Sequence, residues 1–316
     1  MKTKFSTYQK KRSNLLLNKK LAFLSLLSIS ISAHSASTTL FKVIGPNITD
    51  ETSTWSAFDN LAGGIQHYDI ERYGANSTTA TAVWAADSNT LTNYTGTYSH
   101  TFSTGIKNIS ADIANQAFAV LDNGELWQVS SGTASNVTNT WSSFSNLSGG
   151  IQYFDAERYG EGSVGAFWAA DSHTLTESTG TYSHTFSETI TSISADTTGQ
   201  AFATLANGEL WKLSSGVASN VTNAWASFGA LSGGIQHFDI ERYGEGYTAV
   251  WAADSNTLTN YTGSRSYTFE DVITDISADT TVQAFTVVSA VPVPAAFWLF
   301  GSGLIGLVGF ARRKKA

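Results

Sequence analysis

The chain repeats at a spacing of about 84 residues, and its third copy stops early. The segment from Trp55 to His67 returns from Trp141 to Tyr153 and from Trp225 to His237. Trp84 to Asp87 returns as Trp168 to Asp171 and as Trp251 to Asp254. Asn123 to Trp127 returns once, as Asn207 to Trp211. The third copy reaches Ile276 to Asp279 and Gln283 to Val288, and then a different kind of sequence begins. Its missing piece has a counterpart at the other end. Leu40 to Val43 followed by Asn47 to Thr49 parallels Leu210 to Leu213 followed by Asn220 to Thr222. Stacked repeats bury a face that one unit cannot bury alone. A repeat array completed by its own N-terminus closes into a ring, which removes the exposed sheet edges of an open array. Three separate sandwiches would leave the matched ends unexplained.

Each unit reads as β-structure and divides in two. Gln116 to Leu121 and Glu125 to Val129 form a hairpin about Asn123-Gly124, a dipeptide that favours the type I′ turn. Thr79 to Ala85 is a second run of β-branched, aromatic and small residues, and no long segment has helical periodicity. A half-unit of about 42 residues matches one four-stranded propeller blade. The expected fold is all-β, a six-bladed β-propeller over residues 36–289. It has three double-blade repeats, and strands from both chain ends share the closing blade, with Val288 beside Phe41. The order of Ile109 to Asp112, Gln116 to Leu121 and Asn123 to Trp127 resembles tectonin-like and RCC1-like blades.

The ends of the chain are of another character. Met1 to Lys20 carries seven cations and no acid, Leu21 to Ile31 is apolar, and Ala33 and Ser35 are small residues placed for a signal peptidase. Residues 1–35 therefore read as a signal peptide. At the other end, Val291, Pro292, Val293, Pro294 and Ala295 open an uncharged, glycine-rich apolar run over 295–311. Arg312, Arg313, Lys314 and Lys315 follow and would stop transfer on the cytoplasmic side. A run of 17 residues is near the lower limit for a transmembrane helix, which needs roughly 20.

This tail, residues 290–316, resembles the PEP-CTERM sorting signal in its VPLPA-type variant, with Val293 where glutamate is commonest. The resemblance implies an exosortase-like processing enzyme, a Gram-negative host that produces exopolysaccharide, and delivery to the cell surface or extracellular matrix. It covers the tail alone.

Seven of the 18 cations lie in the signal and four in the tail, so residues 36–290 hold seven cations against 25 acids, a net charge near −18. Such a surface repels nucleic acid. There is no cysteine, so an exported body must be stabilised by its core.

Asp69 and Glu71 recur as Asp155 and Glu157, and as Asp239 and Glu241, each pair followed by an arginine. On one strand face they would point together, and on an innermost strand they would line a central channel, where a cation or sugar hydroxyls could bind. The alternative is a repeated ion pair or turn brace, and repeats preserve packing devices as readily as sites. Trp84, Trp168 and Trp251, like Trp127 and Trp211, either stack on sugars or pack between blades. The histidines have no metal-ligand spacing, and no nucleotide, hydrolase or calcium-loop motif is present. Each of these paired acids has two equivalents, whereas catalysis normally needs an asymmetric constellation. The expectation is a non-enzymatic protein with no cofactor and no metal, tied to exopolysaccharide. A glycan-binding propeller lectin and a polysaccharide hydrolase are the alternatives.

Overall fold

The strands of each half-repeat are built from small, β-branched and aromatic residues. Such strands suit a sheet buried on both faces. The computed structural model describes residues 38–73, 81–159, 164–243 and 247–290. The signal segment expected at 1–35 and the membrane helix expected at 295–311 lie outside the described residues. No helix among the described residues is long and apolar enough to cross a membrane.

Twenty-four described strands form six antiparallel four-stranded sheets. β1 (Thr38–Ile44) and β2 (Asn47–Asp50) open the chain. The first blade is β3 (His67–Arg72), β4 (Thr81–Ala86), β5 (Thr90–Asn93) and β6 (Ser99–Thr101). The second is β7 (Ile106–Ile113), β8 (Gln116–Leu121), β9 (Leu126–Ser130) and β10 (Thr133–Asn136). The third is β11 (Tyr153–Tyr159), β12 (Val164–Ala170), β13 (Thr174–Glu177) and β14 (Ser183–Thr185). The fourth is β15 (Ile190–Thr197), β16 (Gln200–Leu205), β17 (Leu210–Ser214) and β18 (Val217–Asn220). The fifth is β19 (His237–Tyr243), β20 (Tyr247–Ala253), β21 (Thr257–Asn260) and β22 (Ser266–Thr268). β23 (Val272–Thr280) and β24 (Gln283–Ser289) complete the closing blade in the order β2-β1-β24-β23. The first strand of each blade packs against the first strands of both neighbours, so six inner strands surround one axis.

The closing blade is the six-bladed closure expected from the broken repeat. β1 lies antiparallel to β24 from Thr38↔Ser289 to Ile44↔Gln283. Val288 pairs with Thr39 and Phe41 with Thr286, two residues away from the expected neighbours. The register follows the repeat, because Phe41 takes the place that Trp127 holds opposite Ala119 and Trp211 opposite Ala203.

The Asn-Gly hairpins also differ from expectation. Gly124 has φ +81°, but Asn123 is not in the left-handed region. Gly124 N–H donates to Leu121 and Leu121 N–H to Glu125, so the turn is the longer kind ending in a left-handed glycine. A Cβ at Gly124 would lie 3.2 Å from the Cα of Gly150, so glycine here also lets two backbones meet. The turns with two left-handed residues are Ser131-Gly132 and Ser215-Gly216.

The core lies between blades, in two alternating kinds of junction. Trp84, Trp168 and Trp251 fill one kind at 0% exposure. Their indole N–H groups donate to the carbonyls of Ile113, Thr197 and Thr280. The other kind is an aromatic cluster under Trp55, Trp141 or Trp225, as in Phe118, Phe144 and Phe154. Fully burying side chains of this size is worth several kcal/mol each, which lets a disulfide-free body hold together.

Candidate functional site

Alternation along the innermost strands aims Asp69 and Glu71 at the axis, and β11 and β19 do the same with their equivalents. Each aspartate then reaches both neighbouring blades. Asp69 accepts from Ala111 N–H at 2.8 Å and from the Ser277 hydroxyl at 2.9 Å. Asp155 accepts from Ala195 N–H and Ser110, and Asp239 from Ala278 N–H and Ser194. Three carboxylates thus stitch six inner strands into a hoop.

The glutamates lie deeper. Glu71, Glu157 and Glu241 are 2–3% exposed. Glu71 accepts the N–H of Arg158 at 2.8 Å, Glu157 that of Arg242 at 3.1 Å, and Glu241 that of Arg72 at 2.8 Å. This pinwheel crosses the axis and ties the first, third and fifth blades together. One oxygen from each lies within 4.8 Å of the others. Burial, and then neighbouring carboxylates, push all three well above the usual carboxylate range. A shared proton or a hard cation would relieve the repulsion, and oxygen ligands of this kind suit calcium or magnesium.

The arginines turn away from the axis. Arg72 pairs with Asp279, Arg158 with Asp112 and Arg242 with Asp196, each aspartate at most 1% exposed and belonging to the preceding blade. Each aspartate also receives the amide of Gln283, Gln116 or Gln200. These aspartates were not among the sequence candidates, although the repeated Ile-Ser-Ala-Asp carried the signal.

Between hoop and solvent is a polar cavity of about 50 Å³, lined by Asp69, Asp155, Asp239, Asn108, Ser192 and Asp275 among others. Asp275 is where the threefold pattern breaks, since its counterparts are Asn108 and Ser192. Burial pushes Asp275 up to about 7. His67 Nδ1 lies 3.9 Å from it, and burial lowers that imidazole.

Of the two roles weighed for the tryptophans, packing between blades is the one the structure shows for Trp84, Trp168 and Trp251. Trp84, Trp168 and Trp251 are wholly buried and their N–H groups are satisfied, because the strand face that bears them meets the next blade.

The last strand ends at Ser289, one residue before a separate sequence signature. Residues 290–315 match the PEP-CTERM protein-sorting motif. The chain carries a PEP-CTERM sorting signal. That signal implies export and sorting by an exosortase-type enzyme. Val291 to Ala295 and Arg312 to Lys315 all fall within the matched residues. No curated protein sequence matches the chain closely enough to count as a relative.

Solved structures resemble the propeller only distantly. BBS1N in complex with ARL6DN has 12% identity over 68% of this chain and 76% of that one, with TM-score 0.43. The Cps50 (Swd1) β-propeller domain of Myceliophteria thermophila has 11% over 71% and 83%, with TM-score 0.41. YCF48 bound to D1 peptide has 10% over 72% and 95%, with TM-score 0.39. The fold assignment rests on this chain's own strand order.

Proposed function

We propose that this is a non-catalytic structural or interaction protein of the outer cell surface or extracellular matrix, associated with exopolysaccharide. One observation carries the reading. The strand that closes the propeller ends at Ser289, and the PEP-CTERM match begins at 290. On this reading the sorting signal, which begins where the last strand of the ring ends, serves as a tether. On this reading residues 1–35 are removed on export, 36–289 are the working body and 290–316 are the processed tail. The channel carboxylates support a structural role, since each bonds to other blades and is repeated threefold.

The test is fractionation of the host. The protein should be recovered with the cell surface and secreted polymer, and disrupting the host's exosortase should hold it in the membrane. Recovery from the cytoplasm, or a distribution unchanged without exosortase, would defeat the proposal.

A further inference from the structure

We infer that two grooves on the propeller rim bind neutral, hydroxyl-rich glycan, an inference that rests on the exopolysaccharide association proposed above. The first groove lies between β6 and β9. Tyr98, His100 and Trp127 are its partly exposed side chains. The ring of Phe102 is at their base, 4.7 Å from that of His100 and 5.8 Å from that of Trp127. The indole N–H of Trp127 donates to Glu125 at 3.0 Å. That donation is the largest of the causes that keep this carboxyl below the usual glutamate range.

The second groove repeats the first between β14 and β17. Tyr182, His184 and Trp211 take the same places, with Phe186 at 4.6 Å and 5.8 Å from the latter two. Trp211 donates to Glu209 at 3.0 Å, which lowers that carboxyl in the same way.

The closing blade separates what folding needs from what it does not. It keeps the bracing bond common to all three blades. Thr52, Thr138 and Thr222 accept the N–H of Leu40, Leu126 and Leu210 respectively. It also keeps an aromatic pair, Phe41 with Phe269 at 5.4 Å. It drops the rest of the groove. Thr39 replaces the glutamate, Phe41 the tryptophan, Asp50 the asparagine and Arg265 the tyrosine. Tyr267 replaces the histidine, and its hydroxyl donates to the Gly45 carbonyl. A blade therefore forms without Trp, Glu, Asn and His, so the two full sets are not required by the fold.

The chemistry of the sets fits a sugar. A partly exposed indole offers apolar surface to the C–H face of a pyranose and keeps a polar edge. A carboxylate already oriented accepts hydroxyl hydrogen bonds without the cost of being ordered. A body of net charge near −18 repels a uronic acid polymer, whereas an uncharged polymer meets no such penalty.

The experiment is affinity electrophoresis of the full-length protein through gels containing dextran, chitosan oligomer or alginate, with titration of isomaltooligosaccharide by calorimetry. Dextran should retard the protein, and the titration should give two equivalent sites. Trp127→Ala with Trp211→Ala should weaken binding about tenfold or more, the equivalent of roughly 1.4 kcal/mol per site. Glu125→Gln with Glu209→Gln leaves the ring packing in place and should weaken it several-fold. Near-ultraviolet circular dichroism confirms that each variant is folded. No retardation by dextran, preference for alginate or chitosan, one or three sites, or binding retained in both double variants would each overturn the inference. Retained binding leaves the matrix reading standing, because that reading is decided by where the protein is found.

Discussion

The closing blade and the second blade have the same strand order and register, but only one of them is a continuous piece of chain. In the second blade β8 turns into β9 through Asn123-Gly124, whereas in the closing blade β24 meets β1 through hydrogen bonds alone. Leu40, Leu126 and Leu210 are all 0% exposed, so the core does not register the break. Around it, the clasp departs from its sisters. Thr38 stands in place of the turn glycine, its hydroxyl buried with no hydrogen-bond partner among the described residues. Asp275 stands where they have Asn108 and Ser192. The difference teaches that packing fixes the blade, while the covalent turn and the polar details are free to change.

The most severe way to break the comparison is to remove β1. A protein beginning after Ile44 should lose cooperative unfolding altogether, because β24 would present an open edge and Phe285 and Val287 would lose their cover. Limited proteolysis and near-ultraviolet circular dichroism read this directly. A truncated protein with the parent's unfolding midpoint would show that the clasp does not close the ring.

Breaking a buried ion pair comes next. Asp279→Ala should cost about 3–5 kcal/mol, because Arg72 would lose its buried carboxylate partner between the closing and first blades. Asp112→Ala, between blades joined by continuous chain, should cost about the same if burial alone sets the effect. Urea unfolding of the two variants decides it. A much larger loss at Asp279 would mean that the noncovalent blade carries extra load.

A smaller and pH-dependent effect belongs to Asp275. Its folded value is raised from 3.8 to about 7, so the folded protein holds a proton that the unfolded chain gives up. Stability from this group is therefore full below about pH 4 and is lost as pH rises toward and through 7. Neighbouring Asp239 acts in the same direction, while the N–H groups of Tyr68 and Ile276 oppose it. His67, lowered by burial, acts with the opposite sign below its ordinary value. Asp275→Asn installs the second blade's residue and cancels only the Asp275 part. The variant should match the parent at pH 4 and have the higher melting temperature at pH 8. Equal melting temperatures at pH 8 would remove Asp275 from the account.

The ring itself was legible because identity over three copies exposes a period, and the broken third copy exposes the closure. The Asp and Glu positions were legible too, since alternation assigns a strand face. Which face meets a neighbouring blade was not. Trp84 and Trp127 both sit on strands in aromatic surroundings, yet one is sealed and the other partly open, and only the packing of blades tells them apart. The Arg72–Asp279 pair spans 207 positions and leaves no local pattern. The turn at Asn123-Gly124 was placed correctly and typed wrongly, because the dipeptide also suits the longer turn in which only glycine is left-handed.

The smallest expected effect sharpens the comparison at one atom. Tyr68 packs in the junction between the closing and first blades, where the equivalent junctions hold Phe154 and Phe238. Its ring fits as theirs do, 4.9 Å from Phe285 against 4.8 Å for Phe118–Phe154 and 5.0 Å for Phe202–Phe238. Only the hydroxyl differs, and it is buried without a hydrogen-bond partner among the described residues. Leaving such a group unsatisfied costs about 1–3 kcal/mol, whereas an apolar replacement of the same shape does not. Tyr68→Phe should therefore raise the urea midpoint by an amount worth about 1 kcal/mol with no change in slope. A lowered midpoint would mean that water or a residue outside those described satisfies the hydroxyl, and that the closing junction is better built than its own geometry shows.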